Sequence, residues 1–535
     1  MLRFMWVVVL VCGLAGVTLA QQNEEAPIDI LLVGGTVHVG TGEAPVVTDV
    51  AIRGSKIVTI GDLAERSAEW RLDCTGKVVC PGFIDLHNHS DGPIVRSETR
   101  AAANFVTQGC TTMVTGNCGS GPVDTAKYYR SIDEHGAGTN IAHLIPQGSV
   151  RERVLGSANV SPTDEQMQEI LSLTEQAMLD GAWGMTTGLI YVPSSYASTE
   201  EITQMARVVA KHGGIYASHI RGEGTGLLKS VDEALQIGRD AGLPVHVSHF
   251  KASGRDAWGL VREAARMIAQ ERDQGRNVTA DQYPYIASST SLGATLLPSW
   301  AREGGTKDLV QRLDDPDSGP KLKGLLQKAI SDRDDGHAVR IASYRKRTDW
   351  VGASLRDIAE REKRAAVDIA EEILRNGGAS IVNFSMSEED VRYLMTIDWV
   401  ATASDGGAKI PNATRPHPRN YGTFPRKLAY YALQEQVLPL AAAIRSMTSL
   451  PASILKMTDR GLLKEGLAAD IVVFDPKQLR DTATFEDPHQ YATGINYVFV
   501  NGVPAVSDGH LTGALAGKAL RSTSFVDSAS NAAGN

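Results

Sequence analysis

Cysteines and long apolar runs are both scarce in this chain of 535 residues. Its five cysteines are too few for a small scaffold held together by disulfides. Beyond the N-terminal segment, no apolar run approaches the ~20 residues that a membrane-spanning helix requires, so we expect no span in the mature protein. The basic residues form no dense cluster and the formal net charge is -9, which argues against a nucleic-acid partner.

The rest of the composition is that of an ordinary globular protein. Hydrophobic residues make up 42% of the chain and charged residues 21%, which excludes a disordered or collagen-like polypeptide. At about 150 residues per domain, the length allows three or four domains, or fewer if one of them is an α/β barrel. The chain is long enough to bury a large core.

The N-terminus has the pattern of a secretory signal peptide, which we assign to residues 1–20. Arg3 precedes an apolar stretch over residues 4–17, and small residues follow at the positions where a signal peptidase cuts. An uncleaved anchor is the alternative, but the stretch is short for a span. We therefore expect an exported protein, periplasmic or secreted. Of the cysteines that remain, Cys74 and Cys80 are one option for a bridge, which nothing in the sequence establishes.

Strand-like segments cluster near both ends of the chain. Their sequences are apolar and β-branched and are broken by turns that contain glycine. The economical interpretation is one small β domain, of sandwich type, built from residues 28–80 and 461–520 together. Residues 522–535 are mostly small and polar and are expected to form a disordered tail. The strand-like segments are Asp29–Val39, Asp49–Gly61, Ala469–Phe474 and Val498–Val503.

Residues 81–460 alternate differently, because short apolar strands are followed by helical stretches of roughly ten to fifteen residues. This alternation is typical of βα units around a parallel sheet, so we predict the α/β class. Eight such strands are the number in a closed (β/α)₈ barrel of the TIM type. An excursion within about 296–397 is interpreted as an insertion or lid. The candidate strands are Gly82–His89, Thr111–Thr115, Ile141–Ile145, Trp183–Thr187, Gly214–His219, Pro244–His249, Val278–Tyr283 and Val400–Asp405.

Two histidines near the first of these strands give the sharpest chemical signal. His87 and His89 lie in the sequence PGFIDLHNHSD, at positions i and i+2 of a strand, and therefore face the same side. Two imidazoles on one side form half of a metal site. Two unrelated histidines on a loop are the alternative, but the apolar run before them favours a strand.

His219 and His249 each end an apolar strand, one βα repeat apart. They are predicted to lie at the carboxyl ends of adjacent parallel strands, where barrel active sites are found. A lone histidine is usually structural, but four at the same end of a barrel are hard to attribute to chance. His246 has the opposite strand parity to His249, so we expect it to face outward and to serve as a control.

Cys118 and Asp405 complete the candidate site. Cys118 follows the second predicted strand, and a thiolate among imidazoles suits zinc, although a buried structural cysteine is the alternative. Asp405 ends the last predicted strand, where a carboxylate can accept a proton from an attacking water and return it to a leaving amine. The alternative for Asp405 is a helix N-cap.

The motifs, in this order, resemble those of the N-acyl-D-amino-acid deacylases (D-aminoacylases) of the amidohydrolase superfamily. HxH alone would indicate only the superfamily. A cysteine after the second strand, in place of the carboxylated lysine common elsewhere, narrows the resemblance to this branch. The motifs span nearly the whole mature chain and are HNHSD (87–91), GNCG (116–119), SHIRGE (218–223), VSHFKASG (247–254), DQYPY (281–285), SDGG (404–407) and HPRNYGTFPR (417–426).

The resemblance implies a distorted (β/α)₈ barrel with a small β domain made from both chain ends. It implies zinc-dependent hydrolysis of the amide bond of small-molecule N-acyl-D-amino acids, which gives a carboxylate and a free D-amino acid. Asp405 would be the general acid and base. Tyr191, Lys251 and Tyr283 match substrate-contacting positions, and Lys251 is the candidate partner of the substrate carboxylate.

The resemblance also implies how metal is bound. One zinc would be held tightly, and a second metal position would be weaker and variably occupied, with Cys118 bridging the two. The ligands of the tight position would be Cys118, His219 and His249. Those of the weaker position would be His87, His89, Cys118 and the nearby Asp405.

Two other functions stay open. A cyclic amidase, of hydantoinase or dihydroorotase type, usually requires a bridging carboxylated lysine, which we do not find in the motifs. A non-catalytic exported binding protein would have no need of an acid/base such as Asp405, so the full set of ligands favours an enzyme.

Overall fold

The computed structural model describes residues 27–523 and Phe525. The expected signal peptide lies outside these residues, and so does most of the expected tail. Within the described part of the chain, no helix combines the length and the apolarity needed to cross a membrane.

The strands of the described residues fall into an N-terminal group, a long central series and a C-terminal group. In chain order they are β1 (Ile28–Val37), β2 (Val46–Arg53), β3 (Lys56–Gly61), β4 (Ala68–Asp73), β5 (Val78–Pro81), β6 (Phe83–Asp85), β7 (Cys110–Thr115), β8 (Asn140–His143), β9 (Ile145–Pro146), β10 (Gly184–Gly188), β11 (Ile215–His219), β12 (Val245–Val247), β13 (Val278–Gln282), β14 (Ala287–Ser291), β15 (Val339–Ser343), β16 (Ser380–Phe384), β17 (Val400–Thr402), β18 (Ile471–Phe474), β19 (Ile495–Val500), β20 (Val503–Ser507) and β21 (His510–Leu511).

The helices lie between the central strands, as expected of βα units. The predicted α/β class is confirmed by this alternation. In chain order the helices are α1 (Ala103–Val106), α2 (Thr125–His135), α3 (Gln147–Leu155), α4 (Asp164–Leu179), α5 (Thr199–Lys211), α6 (Leu227–Ala241), α7 (Leu260–Asp273), α8 (Leu292–Leu296), α9 (Gly305–Asp314), α10 (Ser318–Ser331), α11 (Leu355–Glu362), α12 (Ala366–Arg375), α13 (Glu388–Met395), α14 (Arg419–Arg426, continued by a π-helix over Lys427–Gln434), α15 (Leu440–Ser446) and α16 (Ser449–Ile454).

Strands from both ends of the chain form one sheet, in the order β21-β20-β19-β18-β5-β1-β2-β3, with β4 also paired to β1. β5 is the junction, because it runs parallel to β1 and antiparallel to β18. Val79, Ile471 and Phe499 meet in one buried cluster on this sheet. Cys74 and Cys80 are free, buried thiols, so the bridge considered above is not formed.

The central strands are parallel and carry the candidate site. β6, β7 and β8 pair in that order, and β9 to β13 continue in sequence order to β17. An isolated parallel bridge between Asn88 and Gly406 links the chain after β6 to the chain after β17. The carboxyl ends of the strands therefore gather on one side of the molecule. Side chains from several strands also share one buried cluster, among them Ile84, Val114 and Ala401.

An inserted subdomain separates β13 from β17. Its antiparallel sheet has the order β14-β16-β15, and α8 to α12 pack around a separate apolar core that includes Trp350 and Leu355. The sequence placed the start of this excursion near residue 296. The structure places it earlier, because the pairing of β14 with β16 brings Ala287–Ser291 into the subdomain.

Candidate metal centre

Cys118 lies at the centre of a cluster of imidazoles. Its Sγ atom is 3.3 Å from His87 Nε2, 3.5 Å from His219 Nδ1 and 3.7 Å from His249 Nε2. All four side chains are buried. Burial alone would raise the pKa of the Cys118 thiol, but His87 and His219 outweigh it and hold that pKa well below its usual value. The cluster therefore favours a thiolate, the form of cysteine that binds metal.

These spacings fit zinc. In a tetrahedral site, Zn–S bonds of about 2.3 Å and Zn–N bonds of about 2.0–2.1 Å place sulfur and nitrogen ligands roughly 3.5 Å apart. The distances from Cys118 to the three imidazoles bracket this separation. One sulfur with several imidazole nitrogens is also a donor set that zinc prefers.

The cluster has room for two metal positions that share Cys118. Three sets of residues each bring their ligand atoms within 4.8 Å of one another. Asp405 joins through its Oδ1 atom, 3.0 Å from His89 Nε2 and 3.6 Å from His87 Nε2. The three sets are Cys118, His219 and His249; His87, His89 and Cys118; and His87, His249 and Asp405.

Several of these residues lie on turns just beyond their strands. β12 ends at Val247 and β17 at Thr402, so the strands stop short of the predicted ends at His249 and Asp405. Both residues, and Cys118, have left-handed backbones, with φ of 36°, 50° and 52°. Non-glycine residues seldom adopt this conformation, and a continuous strand cannot contain it. The turns aim the side chains into the cluster.

Glycines allow the Cys118 turn to pack closely. A Cβ atom on Gly188, the last residue of β10, would lie 2.0 Å from the carbonyl oxygen of Cys118. A Cβ atom on Gly116 would lie 1.9 Å from the carbonyl oxygen of Leu144. Gly116 also has a φ of 84°, so both the space and the backbone require glycine there.

Asp281, a buried residue of β13 that the sequence analysis did not single out, contacts three histidines of the site. Its carboxylate accepts hydrogen bonds from the His249 amide (2.7 Å) and from His246 Nε2 (2.8 Å), and it lies 3.6 Å from His87 Nδ1. Burial would raise the pKa of Asp281, but His87 and His246 outweigh it and lower that pKa. The signal available in the sequence was a charged residue inside a predicted barrel strand, because a charge in such a buried position requires partners.

The prediction that His246 faces outward was wrong. Val245 and Val247, on either side of it, pack in the cluster that includes residues of α6 and α7. His246 therefore projects away from those helices, is 3% exposed and bonds Asp281. Strand alternation failed as a guide because the strand ends before His249, whose turn reverses the expected parity.

Lys251 has a partner that the sequence did not predict. Its Nζ donates to Glu223 Oε1 at 2.6 Å and lies 2.8 Å from His249 Nδ1. Glu223 Oε1 is 2.9 Å from the same His249 nitrogen. Burial would raise the pKa of Glu223, but Lys251 and His219 outweigh it and lower that pKa. Lys251, the candidate partner of the substrate carboxylate, is thus half of a buried ion pair that also contacts His249.

Asp405 is held as a carboxylate by its neighbours. Arg419 Nη1 lies 2.8 Å from its Oδ2 atom. Burial would raise the pKa of Asp405, but Arg419, followed by His87 and His249, outweighs it and keeps that pKa well below its usual value. Arg419 belongs to the motif HPRNYGTFPR (417–426), and the structure shows its contact with Asp405.

The two predicted tyrosines flank the cluster. The hydroxyl of Tyr191 lies 3.0 Å from Thr290 Oγ1, and its ring centroid is 5.2 Å from that of His219. The hydroxyl of Tyr283 is buried with no hydrogen-bond partner among the described residues, and burial raises its pKa to about 12. Tyr283 thus remains a hydrogen-bond donor beside the site.

Two cavities meet at His89. The larger cleft has a volume of roughly 700 Å³ and also includes Asp405, Lys409 and Arg419 in its walls. The smaller cavity, of roughly 320 Å³, includes Cys118 and Tyr191. A molecule bound at the cluster can therefore extend into both cavities.

Comparison with known proteins gives a consistent result. A family model described as "Amidohydrolase family" matches residues 72–295 and 352–506, and the stretch between these ranges lies within the inserted subdomain. A D-aminoacylase from Alcaligenes xylosoxydans xylosoxydans is 34% identical over 525 residues, which cover 94% of this chain and 99% of that protein.

Solved structures agree with this likeness. A crystal structure of D-aminoacylase superposes with a TM-score of 0.80 at 31% identity and covers 92% of this chain and 100% of that one. N-acyl-D-glutamate deacylase from Bordetella bronchiseptica was solved with zinc and a phosphonate inhibitor that mimics the tetrahedral intermediate. It superposes with a TM-score of 0.79 at 29% identity and covers 93% of this chain and 100% of that one.

Proposed function

Since this chain belongs to the amidohydrolase family, we propose that it hydrolyses the amide bond of N-acyl-D-amino acids to a carboxylate and a free D-amino acid. The observation that carries the proposal is the buried thiolate–imidazole cluster with Asp405 at its edge. The likeness to D-aminoacylase and to N-acyl-D-glutamate deacylase supports it over nearly the whole chain.

The metal is proposed to be zinc, with one ion held tightly by Cys118, His219 and His249. His87 and His89, with Cys118 shared and Asp405 nearby, would form the second and weaker position. When bound, zinc lowers the pKa of a coordinated water and polarises a scissile carbonyl group. The spacing of the sulfur and the imidazoles supports this assignment.

Asp405 is proposed to move the proton. As a carboxylate with a lowered pKa it accepts a proton from the attacking water and then gives it to the departing nitrogen. Tyr191 and His89 stand beside the cluster, where a donor can stabilise negative charge on the former carbonyl oxygen. Burial raises the pKa of the Tyr191 hydroxyl, so this group keeps the proton that it needs as a donor.

The carboxylate of the substrate is proposed to bind near Lys251 and Tyr283. The unpartnered Tyr283 hydroxyl supports this placement, and Lys251 Nζ lies 5.8 Å from the centroid of its ring. Because Glu223 already balances the charge of Lys251, we expect Lys251 to contribute a directed hydrogen bond more than a free charge.

The architecture proposed for this function is a distorted (β/α)₈ barrel over residues 81–460, interrupted by the inserted subdomain. The parallel pairings and the Asn88–Gly406 bridge support a closed ring of strands. Residues 28–80 and 461–520 would form the small β-sandwich domain. Residues 1–20 would direct export and be removed, which N-terminal sequencing of the protein from its native host would test.

The experiment that tests the function combines metal analysis with a panel of substrates. Purified protein should contain zinc and should hydrolyse N-acetyl-D-amino acids faster than their L-enantiomers. Faster hydrolysis of cyclic amides, such as hydantoins, would support the cyclic amidase instead. Bound zinc with no turnover of any amide would support the binding protein. Preference for N-acetyl-L-amino acids would overturn the proposal at its central point.

A further inference from the structure

We propose that Lys409 selects substrates whose D-amino acid carries an acidic side chain, an inference that rests on the deacylase function proposed above. Lys409 lines the larger cleft together with Asp405 and Arg419. Its side chain is half-buried. Among the residues that the structure describes, no carboxylate pairs with its ammonium group and no acceptor bonds it.

The chemistry of Asp405 decides which cavity receives the amino acid. A group that protonates the leaving nitrogen must face that nitrogen. Asp405 lines the larger cleft, whereas the smaller cavity is lined by Cys118 and Tyr191. The D-amino acid therefore occupies the larger cleft, and the acyl group occupies the smaller cavity that adjoins it at His89.

The other buried charges near the cluster are already balanced. Arg419 pairs with Asp405, and Lys251 pairs with Glu223. Burial, together with the neighbouring Arg419 guanidinium, lowers the pKa of the Lys409 ammonium group. Among the described residues, Lys409 is thus a cation in a partly desolvated wall with no anion paired to it, and a carboxylate on the ligand would supply the missing partner.

The side chain of the substrate is the carboxylate that suits this position. The α-carboxylate is attached next to the scissile nitrogen, so it must lie close to the cluster, where Tyr283 and Lys251 are placed. Lys409 lies four residues beyond Asp405, on the loop after β17 that lines the cleft. Glutamate and aspartate carry a second carboxylate that extends away from the reacting bond toward this wall.

The test compares substrates that differ only in charge. For the wild type, kcat/KM should be higher for N-acetyl-D-glutamate than for the isosteric N-acetyl-D-glutamine. Lys409→Met should lower the glutamate-to-glutamine ratio of kcat/KM on the order of a hundredfold, since removing one partner of a desolvated charge pair has an effect of this size. Lys409→Arg keeps the charge and should keep the preference. N-acetyl-D-aspartate and N-acetyl-D-asparagine form the matching shorter pair.

Arg96 provides the control. It also lines the larger cleft, but its side chain is exposed, so Arg96→Met should leave the ratio unchanged. The inference is overturned if the wild type hydrolyses the glutamine substrate as fast as the glutamate substrate. It is also overturned if Lys409→Met slows both substrates equally, as expected of an α-carboxylate ligand. In either case hydrolysis of D-substrates would still stand, whereas the absence of any such hydrolysis would remove the proposed function itself.

Discussion

Asp405 is the residue at which metal binding and proton transfer can be separated. Its carboxylate contacts His89 and Arg419, while Cys118, His219 and His249 form a candidate set of ligands without it. Asp405→Asn keeps the shape of the side chain but cannot accept the proton of the attacking water. General acid–base groups contribute about 10²- to 10⁴-fold, so we expect kcat to fall at least that far with zinc retained.

This prediction is checked by measuring zinc stoichiometry and kcat on one preparation. Asp49→Asn is the matched control, because Asp49 is also buried and accepts backbone hydrogen bonds, but it lies in the terminal sheet. Its kcat should be unchanged. A normal kcat in Asp405→Asn would remove Asp405 from the mechanism, and loss of zinc along with the rate would make it chiefly a ligand.

At the scale of residues, the sequence predicted which side chains form the thiolate–imidazole cluster, but not which neighbouring groups contact those side chains. Cys118, His219 and His249 come together because each lies at or just beyond the carboxyl end of a parallel strand, and strand order can be predicted from sequence. The pairing of Lys251 with Glu223 could not be predicted, because the contact joins turns that follow two different strands. Nor could the orientation of His246, which depends on where β12 stops.

At the scale of elements, the end of β10 sets the position of the Cys118 turn. In Gly188→Ala the new methyl group would meet the carbonyl oxygen of Cys118 at 2.0 Å, and one of the two backbones must move. We expect zinc affinity to fall about 10- to 100-fold, as is typical when the support of a metal ligand is disturbed. Competition with a chromogenic chelator would measure it.

Gly324→Ala is the control for this substitution. Gly324 lies within α10, and a Cβ atom there would meet nothing within 4 Å. Alanine is the better helix former by about 1 kcal/mol, so stability should stay the same or rise and zinc affinity should not change. Unchanged zinc affinity in Gly188→Ala would contradict the prediction, because it would show that the Cys118 turn accommodates the methyl group without weakening zinc binding.

The π-helix that follows α14 begins with Lys427, a lysine buried in the protein interior. Lys427 is 2% exposed, and no carboxylate pairs with it among the described residues. Burial lowers its pKa to about 7. An unfolded chain has an ordinary lysine pKa near 10.4, so below about pH 7 folding requires a buried charge. The resulting penalty is on the order of a few kcal/mol.

Lys427→Met should therefore stabilise the protein in a pH-dependent way. The gain should be largest below about pH 7, where both states of the wild type are protonated and the folded one bears the penalty. It should fade as pH rises from about 7 toward 10, because the folded lysine is neutral there and the unfolded lysine progressively loses its proton. Thermal midpoints of both proteins across this range would check it, and a gain independent of pH would contradict it.

At the scale of the whole molecule, Asp470 joins the terminal sheet to the central strands. It forms a buried ion pair with Arg460 and accepts hydrogen bonds from the Asn501 amide (2.7 Å) and from Asn140 of β8 (3.1 Å). Asp470→Ala leaves Arg460 with the exposed Asp459 as its remaining carboxylate partner among the described residues, and it leaves the partly buried Asn501 amide without its acceptor, which typically costs about 1–3 kcal/mol. We expect a clearly lower thermal midpoint.

Asp62→Ala serves as the comparison, because Asp62 is exposed and its removal should change stability by less than about 0.5 kcal/mol. Equal midpoints for the two variants would contradict the prediction and would mean that Asp459 alone satisfies Arg460 when Asp470 is removed. Zinc content measured on the same samples distinguishes a weaker contact between the terminal sheet and the central strands from damage to the metal centre.

At this scale, the sheet built from both chain ends could be predicted from the sequence, whereas the bounds of the inserted subdomain could not. Apolar alternation near residues 29–61 and 469–503 indicated strands at both ends, and the structure pairs them in one sheet. The boundaries of the inserted subdomain could not be predicted. Ala287–Ser291 looks like a continuation of the chain after β13, and only its pairing with Ser380–Phe384 assigns it to the insertion.

The position of β5 has a consequence for how the protein is made. β1 to β4 can pair with one another early, but Val79 of β5 pairs with Val473, so the terminal sheet is completed only when almost the last strands have left the ribosome. Most central strands can pair earlier, because their partners are near neighbours in sequence, whereas β17 reaches back across the inserted subdomain to β13. An N-terminal segment with an unpaired edge is a hazard inside a crowded cell, but it also delays final folding until synthesis ends.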